Sequence, residues 1–176
     1  MKNRKRRTLI LPLTAALSVL ADRVTKHLVR ESLRQGQSIE LTPWLGEIFQ
    51  VTYVTNSGAA FGLFPGSSQI FIVIAVIVIA ALLWYYLQLT EGQWLVQLAL
   101  GLQLGGAIGN LIDRLRFAGS VIDFIDLNFW PLRRWPVFNL ADASIVTGVT
   151  ILTLLMFWEG REEENAGREL AAVVDD

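Results

Sequence analysis

Carboxylates and side-chain amides sit in this sequence at the ends of long apolar runs. Asp22 follows the run Leu9–Ala21, Asn110 and Asp113 close a run that begins at Trp94, and Asn139 and Asp142 open a run that ends at Trp158. Asp123 and Asp126 lie between the last two. Asn110 and Asp113 are three residues apart, as are Asn139 and Asp142, so on a helix each amide faces the same way as its acid. An Asn beside a carboxylate donates a hydrogen bond that orients it without adding charge. Two aspartates held close together cannot both ionise comfortably, so one keeps its proton and the pair can work as acid and base on a single water. One carboxylate takes a proton from water as it attacks a carbonyl. The protonated partner supports the developing oxyanion and then helps deliver a proton to the leaving amine. That is the chemistry of an aspartic protease, and it calls for no metal, cofactor, histidine or cysteine.

The elements that must position these groups are membrane helices. The chain has 176 residues, 53% of them hydrophobic and only 18% charged, which is too apolar for an ordinary soluble domain. With no cysteine, disulfides, thiol nucleophiles, iron–sulfur clusters and thiolate zinc sites are excluded. The one histidine, His27, cannot supply a two-histidine metal motif and is assigned no chemistry. Ile70–Leu89, Trp94–Ile112 and Val137–Trp158 are each near the roughly 20 residues a hydrocarbon core requires. Backbone groups in lipid must be satisfied within the segment, so each is read as a helix. Leu9–Leu28 is a fourth. Its basic start and short apolar run also resemble a cleavable signal peptide. The pattern continues through Val24 and Leu28, however, with Asp22, Arg23 and Lys26 able to snorkel to the far interface, so a retained helix is preferred.

The expected fold is therefore an all-α membrane protein: a four-helix transmembrane bundle with a small extracytoplasmic β-sheet between the first and second spans. Residues 1–160 form one membrane domain with spans at about 9–28, 70–89, 94–112 and 137–158, and residues 161–176 form an acidic cytoplasmic tail. The sheet is read from Ser38–Leu41 and Phe49–Val54, β-favouring runs interrupted by Pro43, Trp44 and Gly46. Lys2, Arg4, Lys5, Arg6 and Arg7 place the amino terminus in the cytoplasm, and an even number of spans returns the carboxyl terminus there. Trp84, Tyr85, Tyr86, Trp94 and Trp158 then share the cytoplasmic interface. Thr90–Gln93 is a tight cytoplasmic turn. Neither charged tail reads as a packed element. Arg114, Arg116, Arg133 and Arg134 fall outside, against the positive-inside rule, and some of them are expected to have acidic or headgroup partners. Gly101, Gly105 and Gly109 recur every fourth residue, a spacing that lets another helix approach closely. In this topology Asp22, Asn110, Asp113, Asn139 and Asp142 come to one depth near the outer leaflet, where ionisable groups are costly and are functional candidates.

Structural readings compete at several of these positions. Asp113 beside Arg114 has a ready ion-pair reading, and Asp22 could cap a helix or pair with Arg23 or Lys26. Asp126, within Ile125-Asp126-Leu127, reads equally as a solvated loop acid, but position alone does not separate it from Asp123.

Four blocks taken together resemble one family. NSGAAFG (Asn56–Gly62), GNLIDR (Gly109–Arg114), VIDFI (Val121–Ile125) and FNLADASI (Phe138–Ile145) look like the signature blocks of the lipoprotein signal peptidases, also called signal peptidase II, in the family's order. Asp22 with Lys26 resembles its first block, and the match spans about Leu9 to Trp158. The resemblance implies that Asp123 and Asp142 form the catalytic dyad, which breaks the tie with Asp126. It also implies that Asp22, Lys26, Asn56, Gly58, Asn110, Asp113, Arg114 and Asn139 bind substrate or support the site. Gly58 and Gly62 would suit close backbone approach to a bound chain. The implied substrate is a prolipoprotein carrying diacylglycerol on its lipobox cysteine, cut just before that cysteine. The implied partners are such prolipoproteins and membrane lipids, with no nucleic acid, and the chain acts as a monomer in the bacterial plasma membrane. Its outer sheet and loop could close over the peptide as a gate, which loop deletion would test.

The alternative from another class is a proton-coupled transporter using intramembrane carboxylates. A relay would carry polar groups through the membrane, whereas the inner halves of these spans are mainly apolar, with Gln97 and Gln103 as exceptions. A nonenzymatic scaffold would tolerate Asp123→Asn and Asp142→Asn.

Overall fold

The computed structural model describes residues 9–40, 42, 46, 48–58, 68–90, 92–132 and 135–174, with side chains described as far as residue 162. Expectations that fall on Leu41, Pro43, Trp44, Gly62, Arg133 and Arg134, and on the basic segment before Leu9, lie outside the described residues. The elements follow the order α1 (Ile10–Ser32), β1 (Ser38–Ile39), β2 (Phe49–Asn56), α2 (Ser68–Tyr86), α3 (Trp94–Arg116), β3 (Val121–Leu127) and α4 (Leu140–Val174).

Among the described residues three segments are long and apolar enough to cross a membrane by length and composition: Ser68–Tyr86, Trp94–Arg116 and Leu140–Glu162. α1 is not among them, because Asp22, Arg23 and Lys26 dilute its apolar run. Those charges do not all snorkel as expected. Asp22 and Lys26 are fully buried, turned inward toward α3 and α4, while the opposite face of α1 exposes Leu13, Leu17, Leu20, Val24 and Leu28. A helix that buries its polar stripe and exposes its leucines suits an apolar solvent.

α3 is the central helix, packed against α1, α2 and α4. Its glycine stripe is where α1 comes close. A methyl added at Gly101 would meet Thr14 Cβ at 2.7 Å, one at Gly105 would meet Ser18 Cβ at 2.6 Å, and one at Gly109 would meet Asp22 Oδ2 at 2.7 Å. Each is far inside van der Waals contact, so these positions accept only hydrogen at this spacing. α4 closes on the other side, with Gly106 against the Ala141 carbonyl and Gly148 against the Ala99 carbonyl. Ser18 Oγ donates to Ser144 Oγ across α1 and α4 at 3.0 Å. α2 lies at the periphery and buries none of its residues.

The sheet differs from the expected one in its third strand. β1 and β2 come from the segment between α1 and α2, but β2 pairs on its other edge with β3, which follows α3. All pairs are antiparallel, with Val54 opposite Asp123, Asn56 opposite Val121, and a bulge between Val51 and Val54. Val121–Leu127 holds two aspartates, which mask the β-branched content that makes it a strand. β3 is also tied to the entry of α4, because the Phe138 carbonyl accepts from the Phe124 and Ile125 N–H groups at 2.9 and 2.7 Å. Val137 and Phe138 are therefore extended, and the fourth helix begins at Leu140. At its far end α4 runs unbroken to Val174, so the acidic tail continues the helix. Its Glu, Arg and Ala residues are strong helix formers.

Candidate active site

The pleat of β3 separates its two acids. Asp123 and Asp126 are an odd number of residues apart, so they leave opposite faces of the sheet. Asp126 accepts a 2.7 Å hydrogen bond from Thr52 Oγ1 on β2. Asp123, 3% exposed, enters a cavity of about 600 Å³ whose lining includes Asn56, Asn110, Arg114 and Asp142. Asp142 reaches this cavity from the first turn of α4.

That first turn is locked by a reciprocal cap. Asn139 Oδ1 accepts from Asp142 N at 2.9 Å, and Asp142 Oδ2 accepts from Asn139 N at 3.3 Å. This is a capping box with Asp in the place usually held by Glu or Gln, and it sets both the start of the helix and the position of the acid.

The amides serve the acids in a crossed pattern. From their three-residue spacing each Asn was expected to orient its own neighbour. Instead Asn110 Nδ2 donates to Asp142 Oδ1 at 2.7 Å, and Asn139 Nδ2 donates to Asp123 Oδ1 at 2.6 Å. Asn139 Nδ2 also reaches Asn110 Oδ1 at 3.2 Å, so the two amides bridge the two acids. Asn56 Nδ2 adds a 3.3 Å bond to Asp123 Oδ2, while its own Oδ1 accepts from the buried Gly58 N at 3.0 Å. The spacing rule fails here because Asn139 is a cap outside the helix and Asn110 turns toward α4.

Asp113 is fully buried, and its ion partners are not the adjacent Arg114. They are Arg23 and Lys26, both on α1, with Lys26 Nζ 2.9 Å from Asp113 Oδ2. Lys26 Nζ also lies 2.9 Å from Asp22 Oδ2 and donates to Asn110 Oδ1 at 3.2 Å. Asp22 thus both pairs and caps, since its Oδ1 accepts from Ala141 N at 3.1 Å. Arg114 is half-buried; its guanidinium contacts the Asn110 carbonyl at 3.4 Å and lies over the Phe71 ring, and the residue lines the cavity. Arg116 stacks over Phe117; among the described residues neither arginine has an acid within ion-pair distance, and Arg114 faces the charges of Asp142, Asp123 and Asp113 through space. His27 sits 4.0 Å from Glu31, both well exposed, outside the cluster.

The field at Asp123 favours a proton. Burial pushes its carboxyl up to about 7, the negative Asp142 nearby adds to that, and the donors Asn139 and Asn56 with the more distant Lys26 oppose it. A carboxyl poised near neutrality beside a second carboxylate suits acid–base chemistry at one water. Much of the cavity's wall is apolar, with Leu132, Trp135, Val137, Phe138, Ile145 and Val146 in its lining. Sequence reasoning had not singled out this wall, nor Arg23 as the partner of Asp113. Both depend on elements distant in the chain, and no local signal announces either. Among the described residues no cluster of three or more His, Cys, Asp or Glu side chains could hold a metal.

Residues 14–158 match the family model described as signal peptidase (SPase) II. A lipoprotein signal peptidase of Halothermothrix orenii is 48% identical over 141 residues, covering 80% of this chain and 90% of that protein. One of Moorella thermoacetica is 46% identical over 158 residues, covering 89% and 97%. The fold is similar to that of a bacterial membrane enzyme solved by the in meso method at 2.3 Å resolution, with a TM-score of 0.80 and 31% identity over 89% of this chain and 92% of that one. With the family model matched over most of its length and relatives this similar along nearly their whole sequences, the chain belongs to the signal peptidase II family of membrane proteases.

Proposed function

We propose that the protein is a membrane aspartic endopeptidase that removes the signal peptide from diacylglyceryl-modified prolipoproteins, cutting just before the lipidated cysteine, with Asp123 and Asp142 as its catalytic pair. The observation that carries this reading is that these two acids, 19 residues apart in sequence and on different elements, open into one cavity and are bridged by Asn110 and Asn139. Relatives named as lipoprotein signal peptidases support the substrate class.

In the proposed reaction Asp142, held by Asn110 and the Asn139 backbone, takes a proton from water as the water oxygen attacks the scissile carbonyl. Asp123, buried and pushed up to about 7, carries the second proton, donates a hydrogen bond to the forming oxyanion and then protonates the departing amine. Asn56 and Arg114, on the cavity lining, are positioned to hold the peptide backbone. The apolar wall suits a signal-peptide segment and acyl chains arriving sideways from lipid. In this reading α1 is the fourth span, both termini are cytoplasmic, the sheet and the acids face the outer leaflet, and the chain acts as a monomer. The gate expected over the peptide includes residues 59–67, outside the described residues.

A reconstituted cleavage assay on lipid-modified and unmodified prolipoprotein tests the proposal. Asp123→Asn and Asp142→Asn are each expected to fold and to lose at least about 10³ of kcat, by analogy with removal of one member of a catalytic unit. Substantial cleavage by either variant, or equal cleavage of unmodified substrate, overturns it.

A further inference from the structure

The ammonium of Lys26 is the meeting point of three contacts that together reach both acids of the cavity. Its side chain is fully buried, which is rare for lysine unless it is paired. It forms ion pairs with Asp22 Oδ2 and Asp113 Oδ2, both at 2.9 Å, and donates a hydrogen bond to Asn110 Oδ1 at 3.2 Å. Each of the two carboxylates then grips a backbone N–H. Asp22 Oδ1 accepts from Ala141 N at 3.1 Å, one residue before Asp142, and Asp113 Oδ2 accepts from Ile122 N at 3.2 Å, one residue before Asp123. The third contact, Asn110, donates directly to Asp142 at 2.7 Å. One cation on α1 therefore holds the peptide units that precede both acids, on β3 and on α4, and Asn110, one of the two amides that bridge them.

We infer that Lys26 is a positioning residue for the hydrolytic pair: through Asp22 and Asp113 it fixes the separation of the Asp123 and Asp142 carboxyls, and its charge sets the pH range over which they share one proton. This rests on the reading of Asp123 and Asp142 as the dyad. Lys26 touches neither acid directly; its effect on geometry passes through backbone, and its effect on charge through space. The charged groups facing Asp123 are Asp142 on α4, Lys26 on α1 and Arg114 on α3, with neutral Asn56 from β2 and Asn139. Removing Lys26 leaves Asp123 less compensated and favours its protonated form.

A structural role alone predicts that whatever restores folding restores turnover, so the test separates the two. Lys26→Met fills the same space without charge but strands Asp22 and leaves Asp113 with Arg23 as its ion partner, which can unfold the protein. The double variant Asp22→Asn with Lys26→Met removes one charge of each sign and keeps an amide that can still accept from Ala141 N, so it is the folded comparison. In purified full-length protein with lipid-modified prolipoprotein, the double variant is expected to melt close to wild type, with kcat lowered at least about 30-fold and KM changed less than about 3-fold, the pattern of an interaction expressed in the transition state. Its pH–rate bell is expected to move to higher pH, because the Lys26 charge opposes protonation of Asp123 and the Asp22 charge removed with it offsets only part of that loss. Restored folding with wild-type kcat and an unmoved bell overturns the inference. Asp123→Asn and Asp142→Asn are run in parallel. If they still cleave, the dyad reading itself has failed; if they are inactive while the double variant behaves as wild type, only the role of Lys26 has.

Discussion

Changing Asp123 to Asn should damage the enzyme and stabilise the protein at once. The Asp123 carboxyl is pushed from an ordinary 3.8 to about 7, mainly by burial and then by Asp142. A folded state that holds its proton more tightly than the unfolded chain binds more protons between those two values, so its stability falls as pH rises through that window. The contribution of the protonated form is fully present below about pH 4 and lost by about pH 7. At 1.36 kcal/mol per unit, a difference of about 3 units is on the order of 4 kcal/mol. Asn carries no charge to bury. It can still accept one of the two amide donors, Asn139 Nδ2 or Asn56 Nδ2, and leaving the other unmet returns roughly 1 to 2 kcal/mol of that gain. The net expectation is a variant about 2 to 3 kcal/mol more stable than wild type at pH 8, with the difference shrinking or reversing at pH 4.5. Thermal unfolding in detergent at the two pH values, with cleavage assayed on the same samples, reads both effects. If the variant melts no higher than wild type at pH 8, or wild type is no less stable at pH 8 than at pH 4.5, the carboxyl is not strained by its surroundings and the acid role assigned to it loses its physical basis.

The opposite face of β3 supplies a control: Asp126→Asn removes a charge while keeping an oxygen that can accept from Thr52, and is expected to keep cleavage within about twofold and stability within about 1 kcal/mol. Asn139→Ala loses the helix cap and the donor to Asp123 together, so a destabilisation of about 1 to 2 kcal/mol should accompany at least a tenfold loss of kcat. Asn139→Asp keeps the cap but puts a third acid beside the pair, and recovery of turnover by that variant would show that Asn139 acts only on the helix. Gly109→Ala drives a methyl to 2.7 Å from Asp22 Oδ2, with an expected destabilisation of about 1 to 3 kcal/mol typical of overpacking, whereas the same change at the exposed Gly160, which has open space around it, should be neutral or slightly stabilising. Above about pH 7 the activity of wild type should decline as Asp123 loses its proton; a rate that keeps rising to pH 9 would contradict the assignment of Asp123 as the acid.

That the chain is built mainly of long apolar helices was legible in the sequence because apolar length and glycine spacing are local properties, and an i, i+4 glycine stripe does what its spacing says regardless of partner. The concentration of acids and amides at helix ends was equally visible, since an ionisable group beside hydrocarbon stands out wherever it folds. Which amide serves which acid was not. Spacing pairs Asn110 with Asp113 and Asn139 with Asp142, but a cap residue lies off the helix, and the approach of α1, α3 and α4 at their glycines turns Asn110 to Asp142 and Asn139 to Asp123. The third strand went unseen because two aspartates interrupt its β-branched run, and only pairing with β2 and Phe138 makes it a strand and sends Asp123 and Asp126 to opposite faces. Lys26 reads locally as a side chain able to reach water. It stays buried because Asp22 and Asp113, 91 residues apart, are brought to either side of it, and electrostatic pairing across helices is a fact about distance in space that no local pattern encodes.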